Sequence, residues 1–245
     1  MVDTRESRAH AAEIKYLVDS QMGDRIRAWA RAHLEADAHG SGSFGDEYLT
    51  ASLYFDNPDF DVFNRRGSFG RAKYRIRRYE HGDTVFLERK LRRPGMVVKR
   101  RTLVPIEVLE SLEDPVAARG QPGHWFRRRV RARGLRPICQ VSYHRVARGL
   151  IVNGWPARLT LDSALRAVPV QEARFGLAPG VPVLEPQQVL ELKCRMPLPD
   201  IFERMIEDLG LRQQVVSKYR SSMTALGHAP AVVEPLVLEE EPTGA

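Results

Sequence analysis

The chain has 245 residues, of which 43% are hydrophobic, so it can bury a substantial core and form one large domain. Its 38 lysines and arginines outnumber its 31 acidic residues, which gives a net charge of +7. This charge favours anionic partners such as nucleic acid, phosphorylated metabolites or anionic membranes, but it does not choose among them. The start of the chain lacks the apolar core of a signal peptide, and no apolar run reaches membrane-spanning length, so we expect a cytoplasmic protein.

The N-terminal half is predicted to contain strands, one long helix and one short helical stretch. Asp19 or Ser20 can cap the long helix. Strands are predicted where β-branched and aromatic residues run between turn signals such as Asn57-Pro58. In chain order, we predict a polar leader at 1–9, a strand at 10–18, a helix at 19–36, a loop at 39–46, a strand at 48–56, a helical stretch at 59–65, and an antiparallel meander at 71–80, 83–93 and 96–104.

The C-terminal half is predicted to return to strands between helices. The helix before Gly134 carries several arginines, which either face solvent or form a patch for nucleic acid or an acidic partner. In chain order, we predict a helical start at 105–112, a helix at 124–133, strands at 137–148, 149–162 and 182–196, helices at 198–209 and 218–226, and a polar tail at 227–245. We therefore predict a single domain over residues 10–226.

Several familiar motifs are missing from the chain. It contains neither the GxxxxGK[ST] motif of P-loop ATPases nor a GxGxxG segment after a strand. Its histidines lack HxxxH and HExxH spacing, so a structural zinc site is unsupported. Cys139 and Cys194 lie in apolar segments without CxxC spacing and are predicted to be reduced core residues.

Cations recur at alternate positions of several predicted strands. In the segment 73–77, Lys73, Arg75 and Arg77 project to one face and the two residues between them to the other, because side chains on a strand alternate. The same spacing recurs in Glu88-Arg89-Lys90, Lys99-Arg100-Arg101 and Glu191-Leu192-Lys193. Burying so many like charges is costly when no anions neutralise them, so a barrel with this inner face would contain water or hold a polyanion. The alternative is an open sheet whose cations face outward while its other face packs on helices.

Glutamates stand on the same faces as these cations. Glu88 and Glu191 each lie two residues before a lysine, and Arg158 shares a face with Asp162. Such carboxylates can hold a divalent metal ion, whereas a pure anion binder gains nothing from negative charge in its site. The pattern therefore favours an enzyme over a binding module, although salt bridging remains an equal alternative for Glu13 and Glu88.

Nine short motifs follow one another in a specific order and spacing. They are EIKY (13–16), SLYFD (52–56), KYRIR (73–77), FLERK (86–90), VKRR (98–101), SYHR (142–145), RLTLD (158–162), LELK (190–193) and SKY (217–219). Together they resemble the VTC domain, the polyphosphate polymerase module of the triphosphate tunnel metalloenzyme superfamily. The resemblance implies an α+β fold in which flanking helices surround an antiparallel β tunnel barrel. It also implies transfer of the γ-phosphate of ATP to a growing polyphosphate chain.

The resemblance assigns roles to residues by position. It implies catalytic roles for Arg75, Arg77, Lys90, Arg158 and Lys193. It implies that substrate phosphates are bound by Lys15, Lys73, Lys99, Arg101, Tyr143, Arg145, Ser217 and Lys218. Glu191 matches the metal-binding glutamate for Mn²⁺ or Mg²⁺, with Glu13 and Glu88 as further candidates. The implied ligands are ATP and polyphosphate or triphosphate, with no specific nucleic acid.

One departure from the superfamily bears on the reaction. Hydrolase and cyclase branches open with ExExK, whereas this chain has Ala11 ahead of Glu13 and Lys15. Losing one carboxylate weakens the site for a second metal ion that would position a hydrolytic water, which favours the polymerase. A triphosphatase on the same fold, acting on inorganic triphosphate or a nucleoside triphosphate, and a non-catalytic polyphosphate-binding module remain alternatives. Eukaryotic family members add an SPX domain and membrane helices, so we expect polymer export here to need a membrane-protein partner.

Overall fold

The computed structural model describes residues 3–228 except residues 10, 39, 94–95 and 113–120. The described strands are β1 (Asp3–Ala9), β2 (Ala11–Val18), β3 (Glu35–Ala36), β4 (Glu47–Asp56), β5 (Ala72–Tyr79), β6 (Thr84–Arg93), β7 (Met96–Pro105), β8 (Arg136–Val152), β9 (Trp155–Pro169), β10 (Val181–Pro182) and β11 (Gln188–Arg195). The helices are α1 (Ser20–His33), α2 (His124–Ala132), α3 (Asp200–Asp208) and α4 (Lys218–Ala225). Two 3₁₀ turns cover Gly67–Arg71 and Ile106–Leu109.

All of these strands belong to one antiparallel sheet. Their order is β1-β7-β6-β5-β4-β8-β9-β11-β2, with β10 paired to β9 and β3 to β8. The sheet is strongly curled, because Lys90 Nζ on β6 reaches Glu13 Oε2 on β2 at 2.7 Å although several strands separate the two in the sheet. In the described part of the chain, the edge strands β1 and β2 do not pair with each other.

Much of the outer face of the sheet is apolar and packs against helices. Ile26 of α1 and Phe202 of α3 pack in one cluster with Leu159 of β9 and Leu192 of β11. A second cluster joins Phe126 of α2 with Leu87, Val104, Tyr219 and Met223, from strands β6 and β7 and helix α4. Alternation along the strands then directs the side chains at the intervening positions, such as Lys73, Arg75 and Arg77, to the inner face.

Local signals in the sequence account for several element boundaries. Asp19 caps α1, since its side chain accepts a hydrogen bond from the Met22 amide at 2.7 Å. Asn153 and Gly154 have φ values of 50° and 77° and form the turn between β8 and β9. A two-residue turn with positive φ at both positions matches the twist of the flanking strands, which explains this Asn-Gly pair.

The structure confirms the predicted α+β fold with a large antiparallel sheet and refines its boundaries. Strand β1 lies in the segment predicted to be a polar leader, and residues 61–65 form turns where a helical stretch was predicted. The turn between β8 and β9 falls after Val152, four residues later than predicted, because the Asn-Gly pair sets it. Both cysteines are free and buried, as predicted.

Candidate functional site: a basic cavity inside the sheet

The inner face of the curled sheet encloses a cavity of about 440 Å³. Three glutamates line it, whereas the lining cations are Lys15, Arg65, Arg71, Lys73, Arg75, Arg77, Arg89, Lys90, Arg92, Lys99, Arg100, Arg101, Arg145, Arg158, Lys193 and Lys218. Such an excess of positive charge in a concave, partly dehydrated space attracts anions strongly. We call this space the inner cavity.

All sixteen site residues proposed from the sequence line the inner cavity. The cations at alternate positions of β5, β6, β7 and β11 therefore face inward, and the alternative of an outward-facing basic sheet does not apply to them. The structure places these residues together, while their individual roles remain predictions. Five further cations line the cavity and were not proposed, namely Arg65, Arg71, Arg89, Arg92 and Arg100. Arg65 and Arg71 precede β5, so only the tertiary structure brings them to the site.

One side of the site is a carboxylate wall, formed by Glu13 of β2, Asp162 of β9 and Glu191 of β11. Glu191 is buried, and its Oε1 lies 3.2 Å from Lys15 Nζ and 2.8 Å from Lys218 Nζ. Its other oxygen, Oε2, accepts from Lys193 Nζ at 2.8 Å. Burial opposes ionisation, but the surrounding lysines outweigh it and hold the pKa of Glu191 well below its usual range.

Asp162 anchors this wall from a fully buried position. Its carboxylate accepts two hydrogen bonds from the Arg145 guanidinium, at 2.6 and 2.7 Å, and lies 2.6 Å from Lys218 Nζ. Burial would raise the pKa of Asp162, but these two cations lower it. Asp162 was not proposed as a site residue, although its spacing from Arg158 on β9 already placed it on the same face.

The opposite side is a cation wall, formed by Lys73, Arg75, Arg77, Lys90, Lys99 and Arg101 on strands β5, β6 and β7. Its carboxylate is Glu88, whose two oxygens lie 2.6 Å from Arg75 Nε and 2.9 Å from Arg101 Nε. Burial and neighbouring cations lower the pKa of Lys73 to about 7 and that of Lys99 to about 8. These two lysines therefore lose part of their charge near neutral pH when no anion is bound.

Tyrosine hydroxyl groups hold the arginines of the cavity in place. Arg101 donates to Tyr79 at 2.9 Å, Arg77 to Tyr143 at 3.0 Å, Arg158 to Tyr48 at 2.8 Å, and Arg75 to Tyr54 at 3.4 Å. A hydroxyl acceptor fixes a guanidinium without neutralising it, so the positive charge stays available to a ligand. Sequence reasoning proposed only Tyr143. Tyr79 could also have been proposed, because it continues the alternate positions of the β5 cations and so lies on the same face.

The carboxylate wall fits a divalent metal ion better than the cation wall does. Lys15 Nζ lies between Glu13 Oε1, at 3.1 Å, and Glu191 Oε1, at 3.2 Å, so two carboxylates already share one cation. Mg²⁺ is commonly bound by one or two carboxylates together with substrate phosphates. No cluster of three or more potential ligands occurs among the described residues, so phosphate oxygens would have to complete the coordination. Glu88 is enclosed by arginines instead.

The fold and the cavity define a protein in which a curled antiparallel sheet encloses a basic cavity. Comparison with protein families matches residues 10–227 to the VTC domain. The match covers most of the chain, and the protein therefore belongs to the VTC domain family, within the triphosphate tunnel group whose members generally use divalent metal ions. No curated protein matches the sequence.

A solved structure supports the fold. A proposed adenylate cyclase from Bacillus halodurans superposes with a TM-score of 0.53 and 16% identity, covering 86% of this chain and 95% of the other. HpAC1 from Hippeastrum, a proposed adenylyl cyclase described with a dominant triphosphatase activity, gives a TM-score of 0.48 and 15% identity over 86% of this chain and 94% of its own. At 16% identity, the likeness to the Bacillus halodurans structure concerns the fold alone. Within the described residues, no helix is long and apolar enough to span a membrane.

Proposed function

We propose that this protein is a metal-dependent polyphosphate polymerase that transfers the γ-phosphate of ATP to the end of a polyphosphate chain inside the inner cavity. The observation that carries this proposal is the composition of the cavity, in which sixteen cations face three glutamates. A linear polyanion of high charge density is the ligand that such a space accommodates best. The cytoplasm is the compartment that supplies ATP to this reaction.

Phosphoryl transfer demands little covalent chemistry from a protein. The γ-phosphorus exchanges its bond to the leaving oxygen of ADP for a bond to the terminal oxygen of the chain, so catalysis rests on positioning and on neutralising charge. Phosphate oxygens would be bound by Arg75, Arg77 and Arg158, since guanidinium groups form bidentate hydrogen bonds with phosphate. Lys90 and Lys193 would act as point charges on the transferred group. Mn²⁺ or Mg²⁺, held by Glu191 and Glu13 when bound, supplies further charge neutralisation on the phosphates.

The protonation chemistry of the cavity favours transfer to phosphate over transfer to water. The three glutamates that line it each contact two or more cations, and their pKa values are lowered, so they are weak bases. A histidine is not found among the described residues that line the cavity. Attack by water benefits from a general base, whereas a phosphate acceptor is already anionic.

The test is turnover of ATP by the purified protein with Mn²⁺, followed by sizing of the products on a gel and separate assays for ADP and orthophosphate. We expect ADP together with a ladder of polyphosphate, and no product in the presence of a chelator. Orthophosphate without a ladder would identify a triphosphatase. Binding of polyphosphate in chelator, without turnover under any metal, would identify a binding module.

A further inference from the structure

A second basic cavity lies on the outside of the sheet, beside α2. This outer groove has a volume of about 790 Å³ and lies between strands β6 and β7 and the residues that begin α2. The cations that line it are Arg89, Lys99, Arg100, Arg128 and Arg129. Asp3, a carboxylate of the groove, is already paired with Arg100 at 2.8 Å. The groove therefore carries a net positive charge.

Cations line the outer groove on two sides, on α2 and on the sheet. Arg128 and Arg129 lie on the exposed face of α2, and neither forms an ion pair within the described residues. Across the groove, the Arg100 guanidinium stacks on Trp125 at 4.5 Å from the ring centre. Trp125 is in turn fixed by its hydrogen bond to Thr102 Oγ1 at 2.8 Å. Stacking and hydrogen bonding hold this wall in place.

The outer groove and the inner cavity share part of their walls. Arg89, Lys99 and Arg100 line both spaces, so the basic surface continues from one to the other along β6 and β7. The inner cavity alone has the volume of a small-molecule site. A long polymer bound there must therefore extend beyond the inner cavity. Along the residues that line both spaces, the negative charge of the polymer would remain neutralised by cations.

We propose that the outer groove binds the polyphosphate chain where it extends out of the inner cavity. This inference rests on the proposed function, because it identifies the polymer held inside as the ligand of the groove. Continuity with the inner cavity favours polyphosphate over nucleic acid, since one phosphate chain can occupy both spaces while a duplex is too wide to enter the inner one. If the chain continues into the outer groove, its affinity should increase with chain length even beyond the length that fills the inner cavity.

The test compares tripolyphosphate with long-chain polyphosphate in binding to the full-length protein. The variant is Arg128→Glu with Arg129→Glu, and its matched control is Arg204→Glu with Arg212→Glu, which changes the net charge equally at exposed positions that line neither space. We expect the groove variant to lose affinity for the long chain by on the order of tenfold. Its affinity for tripolyphosphate should match that of the control.

Salt dependence provides a second measurement that does not rely on charge reversal. In Arg128→Gln with Arg129→Gln, the slope of log affinity against log salt concentration should fall by about two for the long chain, because two fewer counterions are released. Equal loss for both chain lengths, or unchanged binding of the long chain, would overturn the proposal. The proposal would also be overturned if single-stranded RNA bound more tightly than polyphosphate and if this RNA binding were lost in the groove variant. Failure of the polymerase itself would appear separately, as missing polymer product despite length-dependent binding.

Discussion

The two walls of the inner cavity differ in how far their buried charges are balanced by charges of opposite sign. On the carboxylate wall, Glu13, Asp162 and Glu191 balance the lysines and arginine around them through contacts of 2.6 to 3.2 Å. On the cation wall, Glu88 pairs with Arg75 and Arg101, Lys90 reaches Glu13, and the two other lysines have lowered pKa values. The charges of the first wall are largely balanced within the protein, whereas the second wall keeps an excess of positive charge that a bound anion would neutralise.

The largest expected effect is the loss of catalysis in Glu191→Gln. The amide keeps the shape of the side chain but removes the charge that would hold a divalent ion, so turnover at saturating Mn²⁺ should fall by about 10²- to 10³-fold. Affinity for nucleotide should change less, because the cations remain. Turnover as a function of Mn²⁺ concentration is the quantity to measure, with melting curves to verify folding.

Glu88→Gln is the matched control on the cation wall. This change should alter phosphate affinity, because it releases Arg75 and Arg101, without changing the Mn²⁺ concentration that gives half-maximal turnover. If the Mn²⁺ response shifts in Glu88→Gln and not in Glu191→Gln, the metal lies on the cation wall and our assignment of the two walls is wrong.

Removing one lysine from each wall should change the melting temperature in opposite directions. Lys218→Met leaves Asp162 and Glu191 short of a buried partner, which costs about 3–5 kcal/mol and lowers the melting temperature by roughly 10 °C. Lys73→Met relieves repulsion on the cation wall, so the ligand-free protein should melt at the same or a higher temperature. Both variants should lose affinity for tripolyphosphate, by roughly tenfold or more for Lys73→Met. Equal destabilisation by the two changes would contradict the comparison.

The cation wall should also make folding and binding respond oppositely to pH. The pKa of Lys73 is lowered to about 7 and that of Lys99 to about 8, both from 10.5 in the unfolded chain. Between about pH 7 and 10 the unfolded chain therefore binds more protons, so the ligand-free protein should become more stable as the pH rises. Polyphosphate favours the charged lysines, so its affinity should fall over the same range.

Calorimetry can test this linkage directly. At pH 8, binding of tripolyphosphate should take up protons, which is measured from the binding enthalpy in buffers of different ionisation enthalpy. Uptake should be smaller in Lys73→Met. Binding without proton uptake in the wild-type protein would show that these lysines are charged before the ligand arrives.

The smallest expected effect is that of Tyr79→Phe, which removes the hydroxyl that accepts from Arg101. Burial raises the pKa of Tyr79, but Arg77 and Arg101 outweigh it and lower the value to about 8. We expect a loss of several-fold in phosphate affinity, because Arg101 keeps its charge and loses only its orientation. Tyr74→Phe is the control, since Tyr74 faces the apolar core from the same strand. A larger loss in Tyr74→Phe would refute a positioning role for the hydroxyl.

The composition of the two sheet faces was predictable from the sequence. Alternation along a strand depends on neighbouring residues alone, so Lys73, Arg75 and Arg77 could be placed on one face without knowledge of the fold. The order of the motifs then led to the family, which the comparison confirms. The extra strand β1 could not be predicted, because its polar sequence becomes a strand by pairing with β7.

The sequence alone thus determined which side chains share a face of each strand and that this face is basic, because both follow from local alternation and charge. Only the tertiary structure decided how the charges are shared. The contact between Lys90 and Glu13, the sharing of Lys218 by Asp162 and Glu191, and the meeting of the inner cavity with the outer groove all join distant segments. These contacts depend on the curl of the whole sheet, and strand twist and pairing set that curl over long distances.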